Sequence, residues 1–125
     1  MSVKISGAEL EVMELLWESE HAYSFAELLQ YFNSEKEKDW RKQTLNTYLL
    51  RLKGRNYVSA ERITSKTLYS AAITRTRYNQ LCAEEILKES YQGTLSNFIA
   101  ALTGKEKLTS EEQQKLIKYI TDNEE

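Results

Sequence analysis

The 125-residue chain has no proline, four glycines, one cysteine and one histidine. A lone cysteine, Cys82, excludes an internal disulfide, and with His21 as the only imidazole too few ligands remain for a zinc or copper site within one chain. No nucleophile, base and orienting group can be assembled into a catalytic set, so neither enzymatic activity nor a cofactor is expected. Cys82 falls in an apolar helical stripe and His21 in a turn between helices, and neither is expected to be catalytic. There is no apolar run near the length that spans a bilayer, no signal peptide and no lipidation motif, which predicts a cytoplasmic protein without membrane insertion. Without proline, low-complexity tract or internal repeat, the change of character near Thr74 reads as a change of role rather than a flexible linker.

Hydrophobic residues make up 41% of the chain, enough for one compact domain and an appendage. The net charge of -2 hides a segregation. Residues 1–35 hold one lysine against seven glutamates, net -6, whereas residues 36–66 hold nine lysines or arginines against three acids, net +6. Such a concentration of basic charge is the footprint that phosphate binding needs, while the overall pI near 5.6 fits a selective reader better than a general coat for nucleic acid.

The basic segment contains the most informative pattern. Leu45, Leu49 and Leu52 recur at i, i+4 and i+7, which predicts a helix burying one stripe and presenting Gln43, Asn46, Thr47 and Leu50 on the other side. Gln and Asn can bond adenine bidentately, Thr can reach a base or phosphate, and an exposed Leu can touch a thymine methyl. Arg41, Lys42, Arg51, Lys53 and Arg55 cluster at the helix ends, where flanking phosphates would lie. After Gly54 and Asn56, which tolerate a left-handed helix end, residues 57–63 and 68–73 read as strands around a polar loop at 64–67. Arg62 and Lys66 fall near the tip of this wing.

Two further helices precede this unit. Ser6-Gly7-Ala8-Glu9 and Ser24-Phe25-Ala26-Glu27 are capping-box patterns; helix one then buries Leu10, Met13, Leu16 and Trp17, and helix two buries Phe25, Leu28, Leu29 and Phe32. Residues 18–23 connect them, residues 33–39 lead into the third helix, and Trp40 is expected to plug the gap between helix and sheet. The fold class is therefore mainly α with a small antiparallel β wing: a winged helix-turn-helix DNA-binding domain at 1–74 and a helical dimerisation domain at 75–125.

The second part is read from apolar stripes: Tyr78, Leu81, Cys82, Ile86 and Leu87, then Leu95, Phe98, Ile99 and Leu102, then Leu116, Ile117 and Ile120 after the Thr109-x-x-Glu112 cap. These faces need a partner, most simply the same segment of a second chain. Gly93 is placed to bend or divide the first long helix, and Gly104 to stop the one before the last.

Several of these segments resemble the BlaI/MecI/CopY family, the penicillinase, methicillin-resistance and copper-operon repressors. They are Ile5-Ser6-Gly7-Ala8-Glu9-Leu10-Glu11-Val12-Met13, Leu16-Trp17, Asp39-Trp40, Thr44-Leu45-Asn46-Thr47 with Arg51-Leu52, and Tyr69 before an apolar run; Tyr91-x-Gly93 and Leu108-Thr109-x-Glu111 are similar more loosely. The resemblance implies a homodimeric bacterial repressor on a double-stranded inverted-repeat operator of the TACA-x2-TGTA type. Arg41-Lys42-Gln43 and Asn46 depart from the family's usual reading residues, which bears on the operator sequence. The paired Cys-x-Cys motifs of the copper branch are missing from residues 121–125. In the antibiotic-sensing branch, proteolysis at an Asn-Phe bond relieves repression, which brings in a membrane sensor-protease as partner. Asn97-Phe98 is such a dipeptide, whereas counting back from Leu108-Thr109 places the site nearer Ala101-Leu102; Phe98 as plain dimer core is the alternative. A different reading of the whole chain is a winged-helix protein-interaction module that has lost DNA binding, which the +6 segment disfavours.

Overall fold

The computed structural model describes residues 3–90, 95–104 and 109–122. Helix α1 (Gly7–Glu18) begins at Ser6, whose hydroxyl accepts the Glu9 N–H at 3.2 Å while the Glu9 carboxylate accepts the Ser6 N–H at 3.0 Å. The exchange satisfies two of the polar groups that a helix start leaves open. Ser24 and Glu27 open α2 (Phe25–Gln30) in the same way, at 3.2 and 2.9 Å, and α2 continues into one π-helical turn, Tyr31–Glu35. Helix α3 spans Lys42–Gly54.

Hydrogen bonding to the Ser24 backbone and side chain holds the Glu27 carboxyl below the usual carboxylate range, and the charges of His21 and Lys66 act in the same direction. A carboxyl more acidic folded than unfolded stabilises at neutral pH and loses that effect as pH falls through its folded value. Ser24→Ala should therefore cost about 1 kcal/mol in urea unfolding at pH 7, and the gap to wild type should narrow in acid.

Strands β1 (Tyr23–Ser24), β2 (Val58–Ile63) and β3 (Lys66–Ala71) form an antiparallel sheet in the order β1-β3-β2. The connection at 18–23 thus ends in a short strand, with Tyr23 opposite Tyr69 and Ser24 opposite Leu68. Two residues are too few for an alternating pattern to show. The hairpin also differs from expectation: Ile63 pairs with Lys66 and Arg62 with Thr67, so only Thr64 and Ser65 form the turn, Thr64 at φ 57°. The polar residues at 66 and 67 belong to the ladder because the tip is exposed on both faces and needs no apolar side chain.

The core of the first unit, Met1–Cys82, comprises Val12, Met13 and Leu16 of α1, Leu28 and Phe32, Leu45, Leu49 and Leu52 of α3, then Tyr57, Val58 and Tyr78. Leu10, Trp17, Phe25 and Leu29 pack against it partly buried. Tyr78, in the first turn of α4 (Arg75–Ser90), lies between Trp17 and Tyr57, with ring centroids 5.6 Å from each. Burial pushes its hydroxyl up to about 12. The indole N–H of Trp17 donates to the Ile73 carbonyl at 2.8 Å.

The second unit, Ala83–Glu125, holds the rest of α4 with α5 (Leu95–Thr103) and α6 (Ser110–Asp122). Helix α5 stops at Gly104, which adopts φ 72° and donates its N–H to Ala100 O at 2.9 Å. Thr109 and Glu112 exchange capping bonds of 2.9 and 3.2 Å at the start of α6. Leu95, Leu102 and Ile117 are 52%, 73% and 62% exposed; Phe98 and Ile99 are half-buried. Tyr91, Gly93, Leu108 and the side chains of Leu116 and Ile120 lie outside the described residues. No described helix is long and apolar enough to cross a membrane.

Candidate nucleic-acid interface

Helix α3 turns Leu45, Leu49 and Leu52 into the core and leaves Gln43, Asn46, Thr47 and Leu50 exposed along the opposite side, as its period requires. Thirteen residues make a rod roughly 20 Å long. Its two ends are fixed differently. At the carboxyl end, Asn56 takes the left-handed conformation at φ 64°, the Tyr57 N–H donates to Leu52 O at 3.0 Å and the Asn56 N–H to Lys53 O at 2.9 Å. This closing motif leaves Gly54 within the helix, and Asn serves because it tolerates the left-handed region.

At the amino end, Arg41 caps without a side-chain hydrogen bond, and the first turn carries no acid. Asn33 takes over the task of fixing the chain. Its amide donates to the Trp40 carbonyl and its Oδ1 accepts the Trp40 N–H, both at 2.9 Å. Clamped there, the Trp40 ring lies 4.6 Å from Phe32 and 5.1 Å from Tyr48. Trp40 therefore fills the space between the second and third helical segments and not a gap between helix and sheet. The Asn33 clamp has no signature in the sequence, since it joins positions seven apart across an irregular turn.

Arg41, Lys42, Gln43, Asn46, Thr47 and Arg51 are all exposed, while Thr44 is half-buried beside the outward stripe. The Thr47 hydroxyl donates to the Gln43 carbonyl at 2.9 Å, so toward solvent its oxygen can only accept. Arg55, grouped by sequence with the basic residues at the helix ends, is half-buried and donates to Val3 O at 3.4 Å. Arg62 and Lys66 are exposed near the hairpin tip, Lys66 directly after the turn. Because strand side chains alternate, Arg62 shares the face of Val58 and Tyr69, and Lys66 lies on the other with Ile63. Among the described residues the ion pairs Lys38–Glu11, Arg75–Glu18 and Lys115–Glu111 involve none of Arg41, Lys42, Arg51, Arg62 or Lys66. Also among the described residues, no three His, Cys, Asp or Glu side chains are grouped to hold a metal ion.

Three helices closed by a small antiparallel sheet, with a rigid third helix presenting amides, hydroxyls and cations outward, define a protein of the winged helix-turn-helix class. The chain belongs to the penicillinase repressor family, whose sequence profile matches residues 5–122. It is similar to the penicillinase repressor of Bacillus licheniformis, 25% identical over 120 residues that cover 96% of this chain and 91% of the relative. It is also similar to the methicillin resistance regulatory protein MecI of Staphylococcus aureus, 22% identical over 113 residues, 90% of this chain and 89% of the relative. MecI of Mammaliicoccus sciuri is 21% identical over a similar span. The family is one of transcriptional repressors and not of enzymes.

Proposed function

We propose that this protein is a homodimeric repressor that occupies an inverted-repeat operator in double-stranded DNA, with the amino-terminal unit reading the duplex and the carboxy-terminal helices joining two copies; the boundary expected after residue 74 moves to Cys82, since Tyr78 belongs to the first core. The observation that carries the reading is the outer face of α3. Gln43, Asn46 and Thr47 stand exposed in one stripe, and Arg41, Lys42 and Arg51 flank it. Basic residues at a helix start oppose the macrodipole by about 0.3–1 kcal/mol each, and α1, α2 and α6 place glutamates there instead. A local cost of this kind is explained when an anionic partner lies against the cations. In this reading Gln43 and Asn46 contact bases, Thr44 and Thr47 lie beside them, and Arg41, Lys42, Arg51, Arg62 and Lys66 contact phosphates.

Dimerisation is assigned to Leu81, Ile86, Leu87, Leu95, Phe98, Ile99, Leu102, Leu116, Ile117 and Ile120; a leucine 73% exposed at 102 and an isoleucine 62% exposed at 117 fit such a role. Relief of repression by a membrane sensor-protease acting on this protein in the cytoplasm would require a cut at Asn97-Phe98 or Ala101-Leu102. Both bonds lie inside α5, and proteases prefer exposed loops, so α5 would have to unwind before cleavage.

Base contacts and phosphate contacts differ in their expected signatures. Gln43→Ala or Asn46→Ala should cost about 1–3 kcal/mol on the operator and relax preference at one base pair, whereas Lys66→Ala should weaken operator and random duplex alike. Fluorescence anisotropy on the two duplexes measures both. Equal losses for all three variants would remove base reading and leave the protein-interaction module as the better account.

A further inference from the structure

We infer that α3 reads thymine through its 5-methyl group, with Leu50 making the contact and Thr47 acting as a second methyl reader beside it. This rests on the DNA-reading function proposed above and specifies which base chemistry that function selects.

Seven residues are nearly two helical turns, so Leu50 lies almost in line with Gln43 and between the directions of Asn46 and Thr47. That places it on the midline of the outward stripe, about 140–160° around the helix from Leu45 and Leu52 and about 100° from Leu49. It is 60% exposed, more than Ile63 at the wing or Ile86 on α4, and it takes no part in the core cluster. A single exposed leucine is ordinary on a protein surface. Here it stands at the centre of the face whose other members are amides and a hydroxyl.

Thr47 reinforces the pattern. With its proton committed to the Gln43 carbonyl at 2.9 Å, it can donate to nothing outside, and what it offers beyond an acceptor oxygen is its methyl group. The stripe thus combines two amides able to pair with adenine N6 and N7 with two apolar groups. In the major groove only thymine displays an apolar group, and it does so on the pair that also carries adenine. Amides for adenine and hydrocarbon for thymine are two halves of one preference.

Replacement of thymine by uracil removes the methyl and leaves every hydrogen-bonding group in place. Duplexes recovered by selection from a random pool with the full wild-type chain would be substituted with uracil one position at a time and titrated at fixed salt. Wild type should lose about fourfold per half-site at one or two positions, the effect of one methyl-sized contact. Leu50→Ala should bind the thymine duplex about fourfold more weakly per half-site and then show no further loss with uracil at its position; Thr47→Ser should do the same at a different one. Wild-type indifference to uracil everywhere, or a Leu50→Ala chain that keeps the full uracil penalty, overturns the inference while leaving DNA reading intact. Failure of wild type to enrich any sequence overturns the DNA-reading function, and the methyl reading with it.

Discussion

Operator affinity should fall by about 10³–10⁵ between 50 and 200 mM salt. The expectation follows from counting cations rather than from overall charge, which is negative. Arg41, Lys42, Arg51, Arg62 and Lys66 are exposed, and two copies of this set would neutralise on the order of 6–10 phosphates and release as many counterions. Residues 36–66, at net +6, would supply the local potential, while the acidic residues 1–35 would limit indiscriminate binding. A salt titration by anisotropy decides the matter. A flat response would mean that the duplex phosphates are not being neutralised, and the basic segment would then have to serve a protein partner.

Monomerising substitutions should weaken operator binding by about 10²–10⁴. On the proposed function one α3 and one wing would read only a half-site; joining two units about 34–36 Å apart, one turn of duplex, would make the second contact intramolecular. Leu102→Asp and Ile117→Lys are suited to the test because both side chains are largely exposed in the single chain, so each copy should fold normally. In a dimer core the same charges would be buried without a partner, which costs far more than a lost apolar contact. Sedimentation beside a binding titration should show monomers that bind weakly. Variants that are monomeric yet bind as wild type would remove the dimer from the mechanism, and with it derepression by cleavage. A shortened chain for the same purpose should end after Cys82 and not after 74, because Tyr78 belongs to the core of the first unit, 6% exposed between Trp17 and Tyr57.

What could be read from sequence was local. The starts of α1, α2 and α6 were legible because a Ser or Thr and a Glu three residues on are both signal and mechanism. The α3 stripe was legible because Leu45, Leu49 and Leu52 encode their own period. The features that escaped involve partners distant in sequence or too short to have a period. Trp40 was legible as a plug but was assigned to the gap between helix and sheet, since its actual position depends on the Asn33 amide. Tyr78 looked like the first member of the second part's stripe, and only its contacts with Trp17 and Tyr57 assign it to the first unit. The turn at 64–65 was overestimated because polarity alone cannot separate a loop from the solvent-exposed end of a ladder. Arg62 and Lys66 were therefore legible as charge near the tip and not in the opposite faces they occupy.

The placement of the two tryptophans makes the molecule its own optical instrument. Trp40 sits one residue before Arg41, packed on Phe32 and Tyr48, so its emission is sensitive to whatever settles against the start of α3. Trp17 is tied to Ile73 and lies under the Arg75 guanidinium, 5.3 Å from its ring, so its emission follows the first turn of α4. With each replaced in turn by phenylalanine, the two signals separate, and engagement of the reading helix and rearrangement at the base of α4 become distinguishable in time without any attached dye.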